Sequence, residues 1–562
     1  MKQSLKQISL LLIFLTTATI GHAQTYARNG MVVSDHKLAS QAGVYILKMG
    51  GNAIDASVAT AFALAVTHPA AGNIGGGGFL VYLPEDGNAT TIDFREKAPL
   101  AATPTMFLDE NAQLVTGSNH NSAKAIGVPG TVAGLYLAHK KYGSLPWKTV
   151  VAPSIKLASQ GFPLTWTLYN ESNYLRNSNS TPAFLKAYFL KKDNTPTQYG
   201  ELWKQPELAR TLKIIAENGH DGFYKGEVAQ QIAAFMKAND GIITEEDLAR
   251  YQAIERAPIH GTFNGYDVYS MPPPSSGGVT MTAMLNLMEQ ASVEDIPFNS
   301  TAYVHLMIEA MRRGYADRAE YLGDPDFNLE MPLEHLISKK YATQRFESID
   351  MDRASVSDST RFGHPYDGKN TTHFSVIDST GNAVSVTYTL EQSYGSGLGD
   401  SSLGFLFNNE MGDFNPVPGE TTSTGQIGTD PNLIAPEKRM LSSMNPTIVA
   451  RNGQPFLIMG SPGGRTIINT VFQAVLNATL YDMQVDEAIE AMKIHHQWLP
   501  DVTYYEKNKL SPDTAKALEL MGHHMIPVDG LGRLMGIKYD AENDMYSGAS
   551  DSSSPDGAAI GY

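Results

Sequence analysis

The stretch from residue 351 to residue 390 constrains this chain more than any other. Residues 351–370 are polar, with His364-Pro365 and Asp367-Gly368-Lys369-Asn370 as turn signals, and read as an exposed linker. Directly behind them stand THFSVID, then STGN, then AVSVTYTL, ending at Leu390. Alternation on both sides of a glycine-containing turn predicts a β-hairpin. Thr371 therefore opens a strand behind a loop that can be cut. That is the layout an N-terminal nucleophile requires. After cleavage of the 370–371 bond, the new α-amino group lies beside the hydroxyl. Its ordinary pKa of about 7.7–8.0 lets it accept the Oγ proton without a histidine. On spacing alone, an ordinary solvent-facing strand threonine is the competing reading.

Other elements follow from periodicity. Ile54 to Thr67 is apolar nearly all round and reads as a buried helix. Asn73-Ile74-Gly75-Gly76-Gly77-Gly78 leads into a strand over Phe79 to Leu83. It is not a nucleotide loop, because Leu80 stands where a third glycine belongs and no Lys-Ser/Thr pair follows. Close backbone packing explains the glycines. Gly130 to Tyr142, Glu227 to Asn239, Thr280 to Gln290 and Thr301 to Tyr321 carry helical spacing. Met271 to Gly278 reads as a stiff connector. Thr447 to Ala450 and Phe456 to Met459 read as a second strand pair, leading to Gly460-Ser461-Pro462-Gly463-Gly464.

Composition excludes several classes. With 42 basic and 58 acidic residues the net charge is −16, which leaves little excess positive charge for a nucleic acid or an anionic membrane. Zero cysteines exclude disulfides, thiolate metal sites and a cysteine nucleophile. No HExxH occurs. His495-His496 and His523-His524 are adjacent pairs whose rings point apart, so they are weak metal candidates. Met459 stands where GxSxG requires its first glycine, which excludes that nucleophile elbow. No cofactor and no metal are expected. Residues 1–23 read as a signal peptide: Lys2 and Lys6, an apolar run from Ile8 to Ile20, and Gly21-His22-Ala23 before the cut. An uncleaved anchor is the alternative. No later stretch is long and apolar enough to span a membrane. The mature chain is expected to be periplasmic or secreted.

Asn370-Thr371-Thr372-His373-Phe374-Ser375-Val376, with Gly381 to Val384 and Thr387 to Leu390, resembles the start of the small subunit of γ-glutamyltransferases. Further matches keep the family's order: Phe407-Asn408-Asn409-Glu410-Met411 with Asp413-Phe414, Leu441-Ser442-Ser443-Met444, and Gly460 to Gly464. Upstream, Gly50 to Ala56, Asn73 to Phe79, Asp93-Phe94-Arg95-Glu96 and Met271 to Gly278 also match, as does Asp556 to Gly561 at the end. The resemblance covers essentially the whole mature chain.

It implies an α+β, four-layer αββα sandwich of the N-terminal nucleophile hydrolase type. Residues 24–370 would form the large subunit and 371–562 the small one, together a single domain, although length alone suggests about three or four. It also implies cleavage at Asn370-Thr371, two subunits that stay associated, and a γ-glutamyl-Thr371 acyl-enzyme made from glutathione or related compounds. Water, an amino acid or a peptide would resolve that intermediate.

The resemblance carries roles onto particular residues. Arg95 would clamp the substrate α-carboxylate, which suits a guanidinium fork; pairing with Glu96 is the plainer alternative. Glu410 and Asp413 would hold the α-ammonium, and Ser442 and Ser443 would hydrogen-bond the α-carboxylate. Gly463 and Gly464 would form the oxyanion hole. Thr389 would lie against the nucleophile and assist processing.

Three departures stand out. Glu391 replaces an asparagine common in the family, which adds a carboxylate. Gly412 replaces the first of two aspartates. The segment from Asn415 to Met440 has the length and the Gly, Thr and Pro content of a mobile lid, but no tyrosine. Two other readings compete: an acylase for glutaryl-type side chains, and an unprocessed, inactive binding homologue. The acids argue against the first, and Thr371, Arg95 and the glycine pair against the second.

Overall fold

The structure is a computed structural model, and it describes residues 24–357, 371–423 and 427–562. The expected signal segment, Asn370 and the middle of the expected lid lie outside the described residues. Two antiparallel seven-stranded sheets form the centre. One runs, edge to edge, Ala558–Gly561, Met31–Ser34, Thr371–Ile377, Ala383–Thr389, Gly77–Leu83, Thr90–Phe94 and Ile254–Arg256. The other runs Thr25–Ala27, Met545–Ser550, Met535–Asp540, Gln454–Gly460, Thr447–Arg451, Tyr266–Ser270 and Ile259–Phe263. The sheets pack face to face, helices Lys37–Lys48 and Ala53–Thr67 cover the first, and helices Gly277–Gln290 and Thr466–Leu480 cover the second. This is the four-layer αββα sandwich. Each sheet contains strands from both sides of residue 370.

The hairpin forms as its pattern dictates. Thr371–Ile377 pairs antiparallel with Ala383–Thr389, with Thr371 opposite Thr389. Phe374, Val376, Val384, Val386 and Tyr388 enter the core beneath the helices. The alternating polar residues do not face water, however. They face the second sheet: Ser375 Oγ donates to the Ile458 carbonyl at 3.2 Å, and Ser385 Oγ to that of Met459 at 3.2 Å. His373 is buried there against Thr387 Oγ1 at 2.8 Å, and burial pushes its imidazole down to about 3. Alternation usually marks a half-exposed sheet. Here the polar face is a dry, hydrogen-bonded interface, which the desolvation of each hydroxyl makes obligatory.

The turn also anchors the core helix. Asp378 accepts the Ala53 N–H at 2.9 Å, at the positive end of the Ala53–Thr67 helix. All of that helix is buried, and Asn52 with Asp55 forms its capping box. The glycine run packs backbone on backbone: a Cβ at Gly76 would lie 2.0 Å from the Thr389 carbonyl oxygen, and one at Gly75 2.2 Å from that of Leu406.

Part of the expected linker is not exposed. The Ala354, Ser355 and Ser357 N–H groups donate to the Met521 carbonyl, Glu309 Oε1 and Asp501 Oδ2 at 2.9, 3.1 and 2.8 Å. A polar stretch can be buried when partners for its backbone wait in the fold. Residues 358–370 of that stretch lie outside the described residues.

Candidate active site

Thr371 sits at the sheet's end, only 4% exposed, so it is not a solvent-facing threonine. Its Oγ1 donates to Thr389 Oγ1 at 3.3 Å. Thr389 Oγ1 also accepts the Glu391 N–H at 2.8 Å, with Glu391 in the left-handed region at φ 78°. Asn73 holds this corner: its Nδ2 donates to the Thr389 carbonyl, and its Oδ1 accepts from Gly76 N–H and Thr131 Oγ1, each at 2.8 Å.

A cavity of about 290 Å³ opens on Thr371. Arg95, Thr389, Glu391, Glu410, Asp413, Ser442, Ser443 and Gly464 line it. The fold therefore gathers residues hundreds of positions apart. Gly463 stands one residue behind, at φ 136°, with Gly464 at φ 58°; both conformations are costly for any other residue. Together they start the Thr466–Leu480 helix, whose N-terminal end carries positive potential toward the cavity.

Arg95 follows the Thr90–Phe94 strand and is completely buried. Its Nη1 lies 2.5 Å from Glu410 Oε2 and 3.7 Å from Glu96 Oε2, and its Nη2 2.5 Å from Asp413 Oδ2. Nε and Nη2 also donate to the Met440 and Leu441 carbonyls at 3.3 and 3.4 Å. The two ends of the expected clamp are thus bonded to each other, and the Glu96 pairing is present as well. One guanidinium does not balance this many buried acids. Burial pushes Glu410 well above the usual carboxylate range, and pushes Glu96 up to about 8 against the pull of Arg95. It lifts Glu391 to about 7, opposed by the His120 ring, whose Nδ1 lies 3.6 Å from Glu391 Oε2.

The serine pair is backed by the stiff connector. Ser276 N–H and Oγ donate to the Ser442 carbonyl at 2.8 and 2.6 Å, and the Ser442 N–H to that of Pro274 at 2.8 Å. Sequence reasoning missed Arg318, on the Thr301–Tyr321 helix. Its Nε reaches Ser276 Oγ at 2.8 Å and its Nη2 Ser443 Oγ at 3.0 Å. Burial and the neighbouring Arg465 lower Arg318 to about 10. Arg465 and His120 line the same cavity and were missed too. No local pattern marks them; only the fold brings them here.

The segment expected to be a mobile lid is tied down at residues 415, 429 and 432. Asn415, Pro416, Ile427, Thr429 and Asn432 line the cavity. Asn415 N–H donates to the Asn432 carbonyl at 2.9 Å, Asn432 Nδ2 to that of Asp413 at 2.7 Å, and Thr429 Oγ1 to that of Ala319 at 2.9 Å. These bonds make it a wall. The His495-His496 pair is in the core: His495 meets Asn469 at 2.8 Å and Gln497 at 2.9 Å, and His496 meets Asp501 at 3.2 Å, whereas of the other pair His523 is buried and His524 exposed.

The family model described as Gamma-glutamyltranspeptidase matches residues 39–561. The chain belongs to the gamma-glutamyltranspeptidase family. Among gamma-glutamyltranspeptidase relatives, it is 46% identical to a glutathione hydrolase proenzyme of Escherichia coli strain K12, over 95% of this chain and 92% of that one. It is 38% identical to a glutathione hydrolase proenzyme of Bacillus subtilis strain 168, over 95% and 92%. In structure it is similar to a cephalosporin acylase from Bacillus halodurans, with a TM-score of 0.83, 27% identity, and 97% and 98% of the two chains covered. A Helicobacter pylori gamma-glutamyltranspeptidase chain matches with a TM-score of 0.56 and 43% identity, over 60% of this chain and 95% of that one. The sandwich is that of the N-terminal nucleophile hydrolases, and the family is one of enzymes. Among the described residues, no helix is long and apolar enough to cross a membrane.

Proposed function

We propose that this gamma-glutamyltranspeptidase is exported by its first 23 residues, cleaves itself at Asn370-Thr371, and transfers the γ-glutamyl group of glutathione and related compounds to water, amino acids or peptides. The observation that carries the reading is a strand-opening Thr371 on the floor of a cavity whose wall holds Arg95 among buried acids. Processing begins when Thr371 Oγ attacks the Asn370 carbonyl. The acyl group moves from nitrogen to oxygen, and water then cleaves the ester. The free α-amine next takes the Oγ proton while Oγ attacks the substrate γ-carbonyl. The Gly463 and Gly464 N–H groups stabilise the oxyanion, and the leaving amine departs with the proton. Water or an acceptor amine resolves the acyl-enzyme by the reverse path.

The electrostatics favour a zwitterionic head. Inserting it between Arg95 and the acids exchanges the internal Arg95 pairs with Glu410 and Asp413 for pairs with the substrate: carboxylate on Arg95, Ser442 and Ser443, and ammonium on Asp413, Glu410 and Glu391. Interleaving of the two segments in both sheets supports a stable pair of subunits after cleavage. The similar Helicobacter pylori chain spans 60% of this one, the length expected of a separate large subunit.

A denaturing gel tests processing. Wild type should give two bands, the smaller beginning at Thr371, and Thr371→Ala one; a single uncut wild-type band would sink the reading. The similarity to a cephalosporin acylase favours a second reading, a glutaryl acylase. Hydrolysis of a glutaryl-anilide in preference to a γ-glutamyl-anilide would decide for it.

A further inference from the structure

His120 is the residue of this site whose surroundings call for a specific explanation. It lies just before the short turn of helix Ala123–Ala125 and borders the cavity that holds Thr371. Asn119 Nδ2 is 3.1 Å from its Nε2, and Asn409 Nδ2 donates to its carbonyl at 3.3 Å. Its Nδ1 is 3.6 Å from Glu391 Oε2. A carboxamide nitrogen only donates, so Nε2 accepts and the ring proton sits on Nδ1, toward Glu391. On the other side, a Cβ at Gly412 would lie 2.0 Å from the ring's Cε1 and 2.2 Å from its Nδ1. The imidazole therefore fills space that any side chain at position 412 would occupy. Glu391 in turn is fixed at its backbone by Thr389, the hydroxyl partner of Thr371.

We propose that His120 is a positioning residue for the α-ammonium end of the donor: its Nδ1–H aims the Glu391 carboxylate into the cavity, and Gly412 exists to let it do so. This rests on the γ-glutamyl reading above. Glu391 holds a strained backbone, and its side chain needs an outside partner to keep one orientation. A donor with an α-ammonium uses that orientation, and a glutaryl donor, which has no cation there, does not.

The test compares γ-glutamyl-anilide with glutaryl-anilide. In His120→Ala, KM for the γ-glutamyl donor should rise about tenfold, the size of one hydrogen bond to a charged group, with kcat nearly constant. The glutaryl donor should change less than about twofold. His120→Asn places an N–H where Nδ1 was and should restore KM, whereas His120→Gln, whose donor reaches the Nε2 position, should not. Gly412→Ala should displace the ring and reproduce the loss toward the γ-glutamyl donor. Two bands on a gel check that each variant folds and processes, and Gly412→Ala carries the test if His120→Ala does not fold. Equal effects on both donors, or failure of His120→Asn to rescue, would overturn the proposal while leaving the γ-glutamyl reading intact. A processed wild type inert toward both anilides would overturn both.

Discussion

Two buried ionic clusters of this protein look alike in composition and behave oppositely. Around Arg95, one guanidinium faces Glu96, Glu410 and Asp413, with Glu391 close behind. Around Glu309, the charges balance. Arg312 and Arg313 bond its two carboxylate oxygens, Arg312 also pairs with Asp501, and the Ser355 N–H caps the cluster. Burial raises carboxylates in both places. At Glu309 it is outweighed by Arg312, Ser355 and Arg313, which hold the group down to about 2. At Glu410, Glu96 and Glu391 burial wins. A balanced cluster clamps structure, here the chain at 355–357. An acid surplus bordering a cavity suits a cationic group. Among the described residues, His305, Glu309 and His523 could surround a metal ion, yet His305 and His523 bond each other at 2.7 Å and two guanidiniums already neutralise Glu309.

Glu309→Gln should break the balanced cluster most severely. It leaves two buried guanidiniums short of charge and should cost about 3–5 kcal/mol in urea denaturation. A wild-type unfolding curve would mean the cluster does not clamp. Arg95→Lys should act on binding instead, raising KM for a γ-glutamyl donor about 30-fold, near 2 kcal/mol, because an ammonium cannot reproduce the fork. Self-cleavage should remain intact, and its loss would contradict the assignment of Arg95 to substrate.

The acid surplus also predicts a pH effect. Glu391, raised to about 7, is neutral below that pH and carries a charge above it. KM for the γ-glutamyl donor should therefore fall several-fold as pH rises through about 7, and Glu391→Gln should flatten that step. An unchanged profile in the variant would assign the titration elsewhere. A second pH effect concerns stability. Glu309 is depressed from 4.5 to about 2, so its contribution is present above pH 4.5 and is lost as pH falls through 2. Glu96 is raised from 4.5 to about 8, so its contribution is full below pH 4.5 and is lost as pH rises through 8. Urea midpoints for Glu96→Gln and Glu309→Gln across pH should diverge from wild type in opposite directions, and parallel profiles would erase the distinction.

Local rules made much of this legible. Period-two alternation around a glycine turn sets the hairpin, and therefore puts Thr371 at the head of a strand. The glycine run at 75–78 announces close packing, and the helix at Ala53–Thr67 is apolar on every side because it lies inside. Motifs in order along the chain identify Arg95, Glu410, Asp413 and the serine pair as members of one site.

Distances across the fold decided the rest. Pattern alone placed the polar face of the hairpin in water, but a second sheet covers it. Composition made 351–357 a free linker, but Glu309 and Asp501 take up its backbone N–H groups. A Gly- and Thr-rich segment suggested a lid, but its Asn432 and Thr429 side chains bond the Asp413 and Ala319 carbonyls and hold those residues as a wall. His120, Arg318 and Arg465 have no sequence signature. The sequence by itself determined the hairpin, the place of Thr371 at the head of its strand and the list of charged groups. The tertiary structure decided which charges meet and how much water reaches them, because both are set by contacts between residues far apart in the chain.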